Sequence, residues 1–256
     1  MRLLAFCEAR SDFLLTSALI DRVLREHATW ISDVLDVAPE GIRTWIGDGR
    51  GRDFFDLHQV SSYALRLLVR VPQGHFNGRP GAAGALMART AFSIVRALND
   101  PANADTIDGV ALVWDMDGQA DDRKLGLEQA RAEAQKLVQF PIILGRPDRM
   151  REAWVLAGFD PQSQDERDRF DSETQQLGFH PSMAAHLLTA ADELAKRSAK
   201  RVLAVLTDGD RGREAQCWTH TALAILRERG VGSGLAAFLD EIEERLVPLC
   251  AAPSAP

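Results

Sequence analysis

The stretch Ile107-Asp108-Gly109-Val110-Ala111-Leu112-Val113-Trp114-Asp115-Met116-Asp117-Gly118 decides how this chain is read. An unbroken apolar run, Val110 to Trp114, suits a strand buried on both faces of a parallel sheet, and Gly109 and Gly118 punctuate its ends. Side chains at i and i+2 of a strand share a face, so Asp115 and Asp117 are expected together at its carboxyl end. That edge is where open α/β sheets bind their ligands. Two carboxylates held this close repel unless a proton or a divalent cation lies between them. A solvated turn is the plainer reading, because Asp and Gly are ordinary turn residues. The abrupt change from buried strand to Asp-x-Asp-Gly favours a metal site.

Working outward, two further strand-to-helix junctions carry acids. Arg2 to Cys7 is a short apolar run ending at Glu8, and Ser11-Asp12 then opens an amphipathic helix to about His27, with Leu15, Leu19 and Val23 at four-residue spacing. Phe140 to Leu144 is strand-like and leads to Glu152 at the start of another helix. Helices are also expected over Ser61–Arg70, Ala82–Leu98 (closed by Asn99-Asp-Pro101) and Lys124–Val138. Trp30-Ile31 and Thr44-Trp45-Ile46 could each seed a strand. This alternation implies βαβ units and a mainly parallel sheet. Between them lies a turn-rich loop, Pro72 to Gly81, whose His75 and Arg79 are candidates for touching substrate.

From Asp160 onward the expectation is helical: a polar helix or loop over Asp165–Gln176, a helix over Pro181–Arg197, strand or helix over Arg201–Leu206, a helix over Gly212–Arg229 and a last one to about Leu249. Thr207-Asp208-Gly-Asp210 repeats the Asp-x-Asp pattern, but it is read as a helix-helix turn with Asp210 as cap. The tail, residues 251–256, is expected to be disordered.

Length and composition bound the rest. The 256 residues are 46% apolar and 26% charged, as in an ordinary soluble globular protein. No run approaches the roughly 20 apolar residues of a membrane span, and the N-terminus lacks a secretory signal. Cys7, Cys217 and Cys250 make no metal-spacing pair, so a reduced cytoplasmic setting is expected. A net charge of −7 argues against a surface built for non-specific nucleic-acid binding, without excluding a nucleic-acid substrate. Only four of the 30 basic residues are lysines (Lys124, Lys136, Lys196 and Lys200), which carries no functional weight. No histidine pair has His-x-x-x-His spacing, and no Gly-x-Ser-x-Gly elbow appears. Oxygen ligands without imidazole or thiol favour Mg²⁺ or Mn²⁺, hence phosphoryl transfer or phosphodiester hydrolysis.

Cys7-Glu8-Ala-Arg-Ser-Asp12 after a first strand, and Trp114-Asp115-Met-Asp117-Gly118 after a later one, resemble the Toprim domain of topoisomerases, bacterial-type primases and OLD-family nucleases. Arg151-Glu152-Ala-Trp154-Val-Leu is similar to a segment of small stand-alone Toprim-like proteins, often encoded beside ABC-type ATPases in anti-phage systems. The resemblance covers residues 1 to 156. It implies a Toprim-like α/β domain over 1–160, with an insertion around 30–80, and a C-terminal helical region over 161–250. By resemblance Glu8 is a general acid/base or metal ligand, Asp115 and Asp117 hold metal, and Asp12 and Glu152 support them. Lys200 stands for the downstream lysine of OLD-type nucleases. The implied function is a Mg²⁺- or Mn²⁺-dependent nuclease, the effector of a defence complex with an ABC-type ATPase partner, homo-oligomer formation being left open. Two alternatives stand beside it. One is a haloacid-dehalogenase-type phosphatase with Asp115 as nucleophile, although Gln119 stands where a Thr is usual. The other is an inactive scaffold or sensor with the Leu235–Leu246 helix face as its partner surface.

Overall fold

The apolar runs become strands of one sheet in the computed structural model, which describes residues 1–70, 73–99 and 106–250. In chain order the elements are β1 (Arg2–Cys7), α1 (Arg10–His27), α2 (Ser32–Val37), β2 (Thr44–Ile46), β3 (Phe55–Asp56) and α3 (Val60–Arg66). A two-strand hairpin, β4 (His75–Phe76) and β5 (Arg79–Pro80), precedes α4 (Ala85–Leu98), β6 (Gly109–Val113), α5 (Ala120–Ala134) and β7 (Ile142–Gly145). The helices α6 (Glu152–Ala157), α7 (Gln164–Leu177), α8 (Ala199–Thr207), α9 (Arg211–Thr219), α10 (Leu223–Arg229) and α11 (Leu235–Arg245) follow.

The protein is thus α/β, with a parallel sheet in the order β2-β1-β6-β7 and helices throughout the C-terminal region. Contacts divide it into two units: Met1–Trp114 with Gln119–Gly145 and the chain from Glu241, and Asp115–Gly118 with Arg146–Asp240. The first unit holds the whole sheet. β6 takes one edge of β1, with Leu3 opposite Gly109 and Phe6 opposite Leu112. The other edge is shared by β2, at Arg2 to Leu4, and β3, at Phe6 and Cys7. Leu4 to Cys7, Leu112, Ile142 and Ile143 are fully buried, which is why these strands read as continuous apolar runs rather than alternating ones.

The helices α4 and α5 pack on each other in the same unit. Gly126 of α5 lets the backbones meet: a β-carbon there would stand 2.0 Å from the Ala83 carbonyl oxygen. In the second unit Trp154 stacks on Phe238 at 4.9 Å and donates its indole N–H to the Ser233 carbonyl at 2.7 Å. Arg213 ties α9 to α7 through Glu166 at 2.7 Å.

Several sequence expectations are corrected. The strand ends at Val113, leaving Trp114 outside it, and Trp30-Ile31 lies in a 3-10 turn (Thr29–Ile31) rather than a strand. Residues 181–197 form no α-helix, only a 3-10 turn at Ala185–Leu187. There the Asp192 carboxylate accepts from the Leu194 amide, a local bond that competes with a helical ladder, and the Ser182 hydroxyl donates to the distant Phe159 carbonyl. The expected helix over 212–229 is two, broken where Thr221 donates its hydroxyl to the Gly158 carbonyl at 2.7 Å. Residues 201–206 are helical, and Asp210 caps α9 by accepting from the Gly212 amide. The apolar stripe Leu235, Phe238, Leu239, Ile242 and Leu246 is fully buried, so it presents no free partner surface. Asp100-Pro101 and residues 251–256 lie outside the described residues. Among the described residues no helix is long and apolar enough to cross a membrane.

Candidate functional site

Glu8 follows β1 directly. Its carboxylate is half-buried, with 21% of the side chain exposed, and its Oε1 accepts the indole N–H of Trp114 at 3.1 Å. The imidazole Nε2 of His58 stands 3.6 Å from the same oxygen. The chain places these partners through strand pairing: β6 beside β1 delivers Trp114, and β3 beside the end of β1 delivers His58 two residues later. Asp12 lies in the first turn of α1, where its Oδ2 accepts from the Ala9 amide at 2.9 Å. That bond satisfies a donor the helix start leaves open, in the manner of an acidic third residue. Cys7, directly before Glu8, is fully buried. Burial first, and the nearby Asp12 second, push its thiol well above the ordinary range.

Trp114 closes this corner on three sides. The Arg123 guanidinium lies over its ring, 4.3 Å from the centroid. Gly84, at φ +78°, abuts the ring edge so closely that a β-carbon would stand 2.5 Å from Cζ3. Glu8 holds the indole N–H. Trp114 also lines a cavity of about 520 Å³ in this unit, with His58, Ser61, Leu86, Met87 and Thr90 on its other walls. Gly74 and Gly81, which join backbone to backbone at 2.8 Å at the base of the β4–β5 hairpin, line it too. His75 and Arg79 are exposed on that hairpin. The His75 carbonyl accepts from Arg89 at 2.9 Å, and Arg79 borders a different cavity with Phe76 and Gln129.

Within the second unit, the loop Asp115–Gly118 is fastened by backbone bonds. The Met116 amide donates to the Pro147 carbonyl at 3.0 Å and the Asp117 amide to the Arg149 carbonyl at 2.9 Å. Met116 is fully buried, between a half-buried Asp115 and an exposed Asp117. Asp117 adopts φ +46° and Arg149 φ +61°, the left-handed region that Asp visits more readily than Arg. Glu152 opens α6, with 13% of its side chain exposed, and meets Arg151 at 3.2 Å. Lys200, in α8, donates to Glu193 at 2.5 Å. That bond first, with the Glu152 and Asp115 carboxylates adding to it, raises the Lys200 ammonium above its ordinary value. Asp115 and Glu152 thus each act on Lys200 within this unit.

Among the described residues no three His, Cys, Asp or Glu side chains form a group that could hold a metal ion. The donor chemistry nevertheless suits Mg²⁺, which takes one or two carboxylates and completes its shell with water and substrate phosphate rather than a closed protein cage. Asp115 and Glu152 are both half-buried carboxylates of this unit, whereas Asp12 already serves the start of its helix.

The sequence reading missed Trp114 as a contact of Glu8, and His58 altogether. Trp114 carried a signal, an indole donor directly before the first acid at a strand end. His58 carried none.

The fold and these side chains define an α/β protein with carboxylates following three neighbouring parallel strands. Comparison with protein-family models, with curated proteins and with solved structures gave no match.

Proposed function

We propose that this protein is a divalent-metal-dependent hydrolase of phosphodiester bonds in nucleic acid. One observation carries the reading. β1, β6 and β7 are neighbours in one parallel sheet, and the chain leaves each of them into acids: Glu8, Asp115 with Asp117, and Glu152. Carboxyl ends of parallel strands are where such sheets bind ligands. The resemblance of the Glu8 and Asp115-Met-Asp117 segments to the Toprim domain points the same way.

In the second unit, Asp115 and Glu152 would hold the ion. A bound Mg²⁺ or Mn²⁺ would supply charge for phosphoryl oxygens and a more acidic water. Lys200, the cation these two carboxylates act on, would meet a phosphate oxygen of the substrate. Glu8, to which the Toprim resemblance gives the part of general acid/base or metal ligand, belongs to the first unit, where the Trp114 indole N–H and the bordering His58 fix one of its oxygens in direction.

The test is cleavage of labelled single-stranded DNA, double-stranded DNA and RNA in Mn²⁺ by the protein and by Glu8→Gln and Asp115→Asn, with circular dichroism to verify folding. Activity on at least one substrate is expected, reduced at least 100-fold in both variants, in line with the loss of a general base or a charge-stabilising group. Equal cleavage by both variants and the parent would refute it.

A further inference from the structure

The cavity beside Glu8 has a shape and a chemistry of its own. Its volume, about 520 Å³, lies in the roughly 300–1,000 Å³ range of small-molecule sites. One wall is the Trp114 ring. The Arg123 guanidinium covers one face of that ring at 4.3 Å, so a stacked ligand would use the other. The indole is fixed in its plane by the Glu8 hydrogen bond on one edge and by Gly84 on another. A ring already held rigid loses little freedom when something stacks on it. The α4 wall contributes Leu86 and Met87, apolar groups suited to the faces and edges of a flat ring. Thr90 spends its hydroxyl proton on the Leu86 carbonyl at 2.8 Å, which leaves the oxygen as an acceptor. The His58 imidazole and the Ser61 hydroxyl stand at the exposed side and offer directional polar contacts.

We propose that this cavity receives the base of a nucleotide, stacked on Trp114. The choice of a nucleobase rests on the phosphodiesterase reading of the adjacent Glu8; the stacking platform and the volume do not. Glu8 accepts the indole N–H of the same ring, so its carboxylate adjoins the stacking platform. The substrate class that follows is one with an unpaired base, since a base in a duplex offers no free face to a protein ring. Single-stranded DNA or RNA, or a nucleotide extruded from a duplex, meets this requirement.

Binding can be measured apart from cleavage. The full-length protein is titrated in EDTA with adenosine 5′-monophosphate and, separately, with ribose 5-phosphate, followed by calorimetry and by tryptophan fluorescence. Adenosine 5′-monophosphate is expected to bind at least tenfold more tightly than ribose 5-phosphate. Trp114→Ala should weaken it about tenfold or more, the usual scale of base-aromatic stacking, whereas Trp114→Phe should stay within about threefold. Met87→Trp, which fills the cavity from α4 without removing Trp114, should abolish binding. Equal affinity for the two probes, or unchanged affinity in Met87→Trp, would overturn the proposal. Tight adenosine 5′-monophosphate binding in a protein that cleaves nothing would refute the hydrolase reading yet support the cavity's ligand. Cleavage without base-dependent binding would do the reverse.

Discussion

Asp12 shows how a single carboxylate can be claimed by structure before chemistry. Its bond to the Ala9 amide closes the start of α1, directly after the turn that carries Glu8. Asp12→Ala should therefore cost about 1 kcal/mol of stability, measured by urea unfolding, because a helix-start donor loses its partner. Metal affinity should change far less than in Asp115→Asn. At this scale the sequence was legible where a residue's place follows from its immediate neighbours. Glu8 reads as a strand-end acid because five buried residues precede it. Its partners were not legible: Trp114 lies 106 positions on, and His58 arrives only because β3 pairs with the last two residues of β1.

Elements were legible in proportion to their periodicity. The strands β1, β6 and β7 and the helices α1 and α4 declared themselves through runs or stripes of apolar residues. The failure at 181–197 has the opposite cause. Alanines and leucines at helical spacing were outweighed by a carboxylate bonding the backbone locally and a hydroxyl bonding the distant Phe159 carbonyl, and Leu194 is left 86% exposed. Gly126 gives the element scale a sharp test, because two effects there oppose each other. Alanine would raise helix propensity by up to about 1 kcal/mol. Its β-carbon would also sit 2.0 Å from a backbone carbonyl oxygen that cannot swing away. The steric effect should win, and Gly126→Ala should destabilise the protein by about 1–3 kcal/mol in thermal or urea unfolding.

For the whole molecule, acid sensitivity should begin in the second unit. Burial pushes the Glu166 carboxyl up, but hydrogen bonds from Arg213 and from the Gln162 amide outweigh it, and the net shift is downward from the ordinary value of 4.5. A carboxyl with a depressed folded value stabilises the folded state above 4.5, and that stability is lost as pH falls through the lower value. Hydrogen exchange in α7 and α9 should therefore accelerate as pH is taken below about 4.5, after correction for intrinsic rates. In Glu166→Gln this pH dependence should flatten. An exchange profile in these helices that is the same in parent and variant would remove Glu166 as the cause.

The sheet order also governs when, during synthesis, the protein can exist. β1 is made before β6, and its β6 edge cannot be covered until residues 109–112 have been added. At synthesis rates of roughly 5–20 residues per second, the wait is about 5–20 seconds. During that time the apolar residues Leu3 to Phe6 lack the strand that covers this edge, and an uncovered apolar edge is the kind of segment that recruits a neighbouring chain. Nascent chains halted before residue 109 should be clipped readily by protease near their start. Chains halted far enough beyond residue 145 for β6 and β7 to emerge should resist it.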